Sequence, residues 1–490
     1  MFENITSGIS NIISQNQVII AVSIFILTYL AIMLENVLKI HRTVFALSGA
    51  VLLIMLHVIS QDPSWHKIDH IVCDSGQETT QLDQTDIYKE VCVEKNYVED
   101  IKGAIGFIDW NTIGLLCFMM IVVAIIGRTG LFELIAIYAV KLARGNPFII
   151  MALFSTVVAV VSAFFDNVTT VILMAPILIA ICKDLKLDFV PFFIAAVVAS
   201  NLGGAATLVG DPPNIIIGSL VKLSFIDFLR HLTLPVLITL VFSLIAFRFI
   251  YRNKMQVSDE IREKAKHIAT IGIIKNKKKL AIYLFVLGLT LTGFMLHNII
   301  HLQVATIAGF GALGLMFASR VHPEEIFKEV EWPALFFFVG LFIIIGCLEK
   351  LGVLKIIAAE MMKFTGGDMK TTMYVILWFS AIASAVIDNI PFTATMIPLI
   401  KEMAAIKFPE LSGVELWHSP EIIGLWWALA LGACLGGNGS LIGASANVVI
   451  AGISERHGRP ITFMGFTKIG FPIMIVTILI VHLYIYFIGI

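Results

Sequence analysis

The sequence predicts an all-α polytopic membrane protein made of two inverted-topology repeats. Each repeat has five spans, one re-entrant helical hairpin and one broken helix. Three observations predict this. The first is composition: of 490 residues, 58% are hydrophobic and 14% charged, with mean hydropathy +0.92, against about 25% charged residues in soluble domains. The second is an apolar run broken in the middle by Asn201-Leu-Gly-Gly-Ala-Ala-Thr-Leu-Val-Gly-Asp-Pro-Pro-Asn214. The third is that Cys434-Leu-Gly-Gly-Asn-Gly-Ser-Leu-Ile-Gly-Ala-Ser-Ala-Asn447 repeats the same object at an offset of 233.

The break is wrong for a helix. Gly203, Gly204 and Gly210 loosen the backbone, and Pro212 and Pro213 remove two donors; each proline costs a helix interior about 3 kcal/mol. Asn201, Thr207, Asp211 and Asn214 stand where lipid would reject them. Irregular backbone at membrane depth survives only inside protein or along a watery cavity. Interrupted helices at matching places in two halves point to a transporter binding site.

Taken in order, repeat 1 occupies 1–250. No cleavable signal peptide is expected, because the N-terminus lacks a basic region and the first apolar run is long. Spans are expected at about Val18–Leu38, then to about Ile59, then Phe107–Gly127. Residues 61–104 form a hydrophilic insert with ten Asp/Glu and four Lys. An acidic loop of this kind belongs outside, and its Cys73 and Cys92 are either a disulfide or two free thiols. Leu131–Arg144 reads as an interfacial helix. The hairpin is expected over 148–182, interrupted at Asp166-Asn167-Val-Thr169-Thr170, the broken helix over 191–221, and a span at about Leu232–Ile250. The linker 251–279 is basic and cytoplasmic under the positive-inside rule.

Repeat 2 fills 280–490. Its spans run at about Leu280–Ile299, Val304–Ala318, Trp332–Leu348 and Phe471–Ile490, with the hairpin over 373–403 and the broken helix over 424–452. The duplication is arithmetic: Trp110/Trp332, Gly130/Gly352, Asp166/Asp388, Asn167/Asn389 and Pro176/Pro398 share an offset of 222. Asn36/Asn298, Ala46/Ala308 and Gly49/Gly311 share 262. Both changes of offset fall in loops, where insertions are tolerated. Five spans per half give the halves opposite topology, and the Lys/Arg distribution then puts both termini outside.

The polar residues gather at four breaks. The hairpin tips offer Asp166, Asn167, Thr169 and Thr170, and Asp388, Asn389, Thr393 and Thr395. The broken helices offer Asn201, Gly203, Gly204, Thr207, Asp211 and Asn214, and Gly437, Asn438, Ser440, Ser445 and Asn447. A carboxylate at bilayer depth costs at least about 2.5–3.5 kcal/mol. Oxygen ligands from carboxylate, amide and hydroxyl suit a small alkali cation, with Asp166, Asn167, Asp388 and Asn389 as the expected sodium ligands. Desolvation favours the neutral acid, so such a group can take up a proton when the cation leaves. The plainer alternative is that Asp166 and Asp388 cap their half-helices, and that Asp211 caps the helix after it; capping and ion binding are compatible. Cys117, Cys182, Cys347 and Cys434 read as packing residues, and Asn36 and Asn298 likewise. No Walker motif, Rossmann fingerprint or His/Cys metal cluster occurs, so no cofactor beyond a coupling sodium ion or proton is expected. Net charge −1 argues against a nucleic-acid partner, and the composition excludes a soluble enzyme.

Asn201–Asn214, Phe-Phe-Asp-Asn-Val-Thr-Thr, Ile-Asp-Asn-Ile-Pro-Phe-Thr-Ala-Thr and Gly-Asn-Gly-Ser-Leu-Ile-Gly-Ala-Ser-Ala-Asn-Val resemble the ion transporter superfamily. They are closest to its P-protein (pink-eyed dilution)/arsenite permease/NhaD-type sodium–proton antiporter branch, with its citrate transporter-like domain. The resemblance spans nearly the whole chain except the insert and the linker. It implies a homodimeric elevator-type transporter, in which outer spans form a scaffold and the hairpins and broken helices carry the site. Relatives that move dicarboxylates with sodium have Ser-Asn-Thr at both tips. The aspartates here would repel an anionic substrate unless protonated or holding sodium, which favours a sodium/proton antiporter. The alternative is a sodium- or proton-coupled carrier of arsenite, dicarboxylate, citrate or another oxyanion; a channel-like conductance is a third reading. A eukaryotic organelle and a bacterial inner membrane both fit, and the compact chain leans to the bacterial one.

Overall fold

The computed structural model describes residues 2–60, 99–252, 255, 274 and 276–489. Cys73, Cys92 and the rest of 61–98, with most of the basic linker, lie outside the described residues. Among the described residues all regular elements are helical. In chain order they are α1 (Phe2–Met33), α2 (Glu35–Leu38), α3 (Arg42–Ser60), α4 (Glu99–Gly106), α5 (Trp110–Gly127), α6 (Leu131–Leu142), α7 (Pro147–Ser162), α8 (Asn167–Asp184), α9 (Val190–Gly204), α10 (Pro212–Val221) and α11 (Phe225–Ile250). After the linker come α12 (Lys277–Ile300), α13 (Val304–Ser319), α14 (Pro323–Phe327), α15 (Trp332–Lys350), α16 (Val353–Phe364), α17 (Met369–Val386), α18 (Asn389–Lys407), α19 (Gly413–Trp417), α20 (Pro420–Gly436), a 3-10 turn (Gly437–Gly439), α21 (Ser445–Arg456) and α22 (Phe463–Phe487). Nine of the described helices are long and apolar enough to cross a membrane, and the chain is a multi-pass membrane protein.

The helices group into two compact units, each drawing on both halves of the chain. The smaller comprises Met1–Asp109 with Pro333–Ile357. Its helices approach closely because small residues stand at the crossings: a Cβ on Gly49 would lie 2.5 Å from Thr28 Oγ1, and one on Gly340 would lie 2.7 Å from the Ala46 carbonyl carbon. Without a strong hydrophobic force between helices in lipid, such close packing is what holds them together. Thr43 Oγ1 donates to Pro333 O at 2.6 Å, and the Arg42 guanidinium sits 5.0 Å from the centre of the Phe337 ring.

The larger unit comprises Trp110–Trp332 with Ala358–Ile490. Its core is α9 and α20, whose side chains are buried around nearly the whole circumference. A helix apolar on every side belongs in such a position. α9 packs along α7, and α20 along α17. The two contacts are built alike: a Cβ on Gly203 would lie 2.0 Å from Ala159 O, and one on Gly436 would lie 2.6 Å from Ala381 O. These residues are related by the sequence offsets of 233 and 222. α8 packs against α21, and α10 against α18. Cys117, Cys182, Cys347 and Cys434 are unpaired thiols, and all but Cys117 are buried.

α11 and α22 begin earlier than their apolar runs indicate, each at a polar cap. α11 starts at Phe225 rather than near Leu232, because Ser224 and Asp227 form a reciprocal capping box. α22 starts at Phe463, where Thr462 accepts from Gly465 N, and carries Pro472 within it.

Gly203→Ala is expected to cost about 1–3 kcal/mol or more by overpacking, seen as a lower unfolding midpoint and a smaller monodisperse fraction in detergent. Gly452, with nothing within 4 Å of an added Cβ, is the control: Gly452→Ala is expected to be neutral or to stabilise by about 1 kcal/mol through helix propensity.

Candidate functional site

All four breaks lie in the larger unit. Between α7 and α8, Asp166 is the N-cap and accepts from Val168 N at 3.3 Å, Thr169 N at 2.8 Å and Thr169 Oγ1 at 2.5 Å. Between α17 and α18, Asp388 is the N-cap and accepts from Ile390 N at 3.0 Å and from Ser445 Oγ at 2.8 Å. Both hairpin acids therefore cap. Asp211 does not, although it stands at the N-cap of α10. Fully buried, it accepts instead from Asn389 Nδ2 at 3.4 and 3.3 Å. The plainer alternative, that Asp211 caps the helix after it, is therefore set aside: Pro212 and Pro213 leave few N–H groups to cap, and an amide from another helix takes the carboxylate.

The broken backbone is satisfied by side chains, twice over. Ser162 Oγ donates to Ser200 O at 2.8 Å, and Ser384 Oγ to Ala433 O at 2.7 Å. Thr207 Oγ1 donates to Ala163 O, and Ser440 Oγ to Ala385 O. Asn214 Nδ2 reaches Gly204 O at 3.5 Å and Thr207 O at 2.8 Å. Asn447 Nδ2 reaches Gly437 O and Ser440 O, both at 2.8 Å. Each pair is related by the sequence offsets. Ser162 and Ser384 were not among the expected site residues; their shared offset of 222 was the available signal.

A chain of amides crosses the centre. Asn167 Nδ2 donates to Asn201 Oδ1 at 3.1 Å, and Asn201 Nδ2 donates to Asn438 Oδ1 and Asn447 Oδ1, both at 3.0 Å. Asn201 thus ties one hairpin tip and one broken helix to the other broken helix. Asn438 Nδ2, Thr170 Oγ1 and Thr393 Oγ1 are buried without a hydrogen-bond partner. Buried polar groups are normally paired, so these three orphans are unusual. Thr395 turns to its own helix, donating to Pro391 O at 2.9 Å. Gly203, Gly204 and Gly437 serve close backbone approach; a Cβ on Gly204 would lie 2.6 Å from Gly210 O.

Two acids stand within electrostatic reach of a third. Asp211 interacts electrostatically with both Asp166 and Asp388. Among the described residues no Lys or Arg pairs with Asp166 or Asp211. Cys434, the repeat counterpart of Asn201, was read from sequence as packing only. Its thiol donates to Asn214 Oδ1 at 3.6 Å. Among the described residues no cluster of three His, Cys, Asp or Glu side chains stands ready for a transition metal.

Helices broken within apolar segments, with polar groups drawn in from both halves of the chain, are the arrangement of a membrane transporter. A family model described as "CitMHS: Citrate transporter" matches residues 29–432, and the chain belongs to that family, within the ion transporter superfamily. It is 38% identical to an uncharacterised transporter of Mycobacterium bovis over 96% of this chain and 98% of that one. It is 33% identical to the P protein of Homo sapiens, over 94% of this chain but 59% of that longer protein. The YdaH transporter of Alcanivorax borkumensis, whose crystal structure is described as having an unusual topology, aligns with 91% of this chain and 98% of its own at TM-score 0.54 and 14% identity, a likeness of fold alone.

Asn201→Ala removes three amide contacts and leaves buried partners unpaired, at about 1–3 kcal/mol per orphaned group. A clear fall in unfolding midpoint is expected. Asn201→Gln would not restore it, since the longer amide cannot keep all three bonds.

Proposed function

We propose that this transporter is a secondary active carrier that exchanges sodium for protons. The observation that carries the reading is Asp211: fully buried, held by the Asn389 amide, with no Lys or Arg paired to it among the described residues, and in electrostatic reach of Asp166 and Asp388. A buried carboxylate without a counter-charge is strongly unfavourable. Such a group is either protonated or sits against a cation, and alternation between those two states is the chemistry of cation–proton exchange. Asp166, Asn167, Asp388 and Asn389 supply further oxygen ligands near the half-helix ends.

The paired hydrogen bonds and paired glycine contacts support two inverted repeats, with boundaries at 1–250, 251–279 and 280–490. In this reading the larger unit contains the moving elements, α7–α10 and α17–α21, and the protein works as an elevator in a homodimer. The termini face outward, and the membrane is a bacterial inner membrane.

A second reading has its own support. Asn438 Nδ2 is a buried donor without an acceptor, and the family model carries the description "Citrate transporter". Under that reading the centre binds a small anion such as a dicarboxylate, citrate or an oxyanion, with sodium or protons held by the acids.

Proteoliposomes with a sodium gradient and no organic anion or oxyanion separate the two. Sodium-dependent proton flux is expected from the wild type, and at least a tenfold loss in the Asp166→Asn/Asp388→Asn double variant. Folded wild-type protein that moves no protons, yet takes up labelled citrate, would reverse the assignment.

A further inference from the structure

The larger unit holds a second polar feature, away from the acidic centre. A cavity of about 250 Å³ lies among the C-terminal end of α10, the C-terminal end of α12, the turn into α13 and one face of α5. It has room for several waters or one small solute. Its chemistry is the reverse of the centre's. No Asp or Glu lines it, whereas Lys222, His297, His301, Asn298 and Gln303 do. Asn298, expected from sequence to be a packing residue, is exposed at this rim.

Three independent features present donors. His297 is 8% exposed and lines the cavity, and its Nε2 has no hydrogen-bond partner. A ring nitrogen left unpaired at that depth calls for a ligand. Lys222 follows α10 in the left-handed conformation, φ 61°, and its side chain is exposed. α13 begins here with no side chain capping its first turn, so its N–H groups and the positive end of its dipole face an uncapped N-terminus. The opposing effect of the α10 C-terminus is muted, because its last carbonyls are already taken: Lys401 Nζ donates to Leu220 O at 3.0 Å, and His418 Nε2 hydrogen bonds to Val221 O at 2.8 Å. The acid that acts on His297, Asp227, is held by Ser224 N at 2.8 Å and Ser224 Oγ at 2.6 Å. Across the cavity, Asn111 Nδ2 donates to Ser219 Oγ at 2.9 Å, which fixes α5 against α10.

We propose that this cavity is a binding site for a small carboxylate or inorganic oxyanion from the aqueous phase, separate from the acidic centre. Lys222 supplies charge at the rim, His297 Nε2 donates from the floor, and the first turn of α13 completes the cradle. Leu208, in the segment that carries Asp211, forms part of the wall, so a bound anion also touches the linker of the first broken helix.

The test is calorimetric titration of citrate and of inorganic phosphate into the purified full chain in uncharged detergent, with no transport required. Saturable binding of at least one anion is expected, weakened at least tenfold by Lys222→Gln and by His297→Leu, and changed less than twofold by Asp211→Asn. Because Lys222 is exposed, its variant decides the matter even where His297→Leu fails to fold. Absence of binding by either anion would overturn the proposal, as would affinity unchanged in Lys222→Gln. A more than twofold effect of Asp211→Asn would assign the anion to the acidic centre instead. The readout is equilibrium binding, so failure of sodium–proton exchange leaves it standing.

Discussion

Everything at the centre depends on one constraint: backbone that is not helical at membrane depth must find its hydrogen bonds within the protein. Here short side chains supply them. Ser162, Thr207 and Asn214 bond carbonyls around the first broken helix, and Ser384, Ser440 and Asn447 do the same around the second. The glycines serve the same end by letting α9 lie against α7 and α20 against α17 at distances that admit no Cβ. Once those bonds are made, the chain can hold two interrupted helices open without lipid or bulk water to solvate them.

Against this paired framework, the unpaired positions are informative. Asp211 corresponds to Ala444, Asn201 to Cys434 and Asn438 to Ala205 by the offset of 233. All three polar members lie at the centre, and one of them carries the fully buried acid. Matched residues build the frame, and the unmatched ones break its symmetry. A duplicated scaffold can hold a site with no internal symmetry of its own, because a substitution in one copy leaves the hydrogen bonds of the other intact.

Much of this was legible in the sequence, for definable reasons. The membrane class follows from composition, and the interruptions after Gly204 and before Pro212 follow from residues that cannot continue a helix. The caps at Asp166 and Asp388 were readable because a cap and the N–H groups it serves lie within three residues of each other. The partner of Asp211 was not readable: Asn389 lies 178 residues away, and only packing brings α18 against α10. The starts of α11 and α22 were missed because polar caps, not apolar runs, set them. The Ser224/Asp227 box was visible in the sequence and outweighed by hydropathy. The cavity beside α13 left no local trace, since its residues come from separate helices.

In the exchange proposed above, one buried acidic centre holds sodium and protons in competition. Titration of sodium into the purified protein in a weakly buffered solution, with proton release followed by an indicator dye, tests it directly. The account expects protons to be released as sodium binds, and the release to disappear in Asp211→Asn. Sodium binding with no proton release, or release undiminished in that variant, would contradict it.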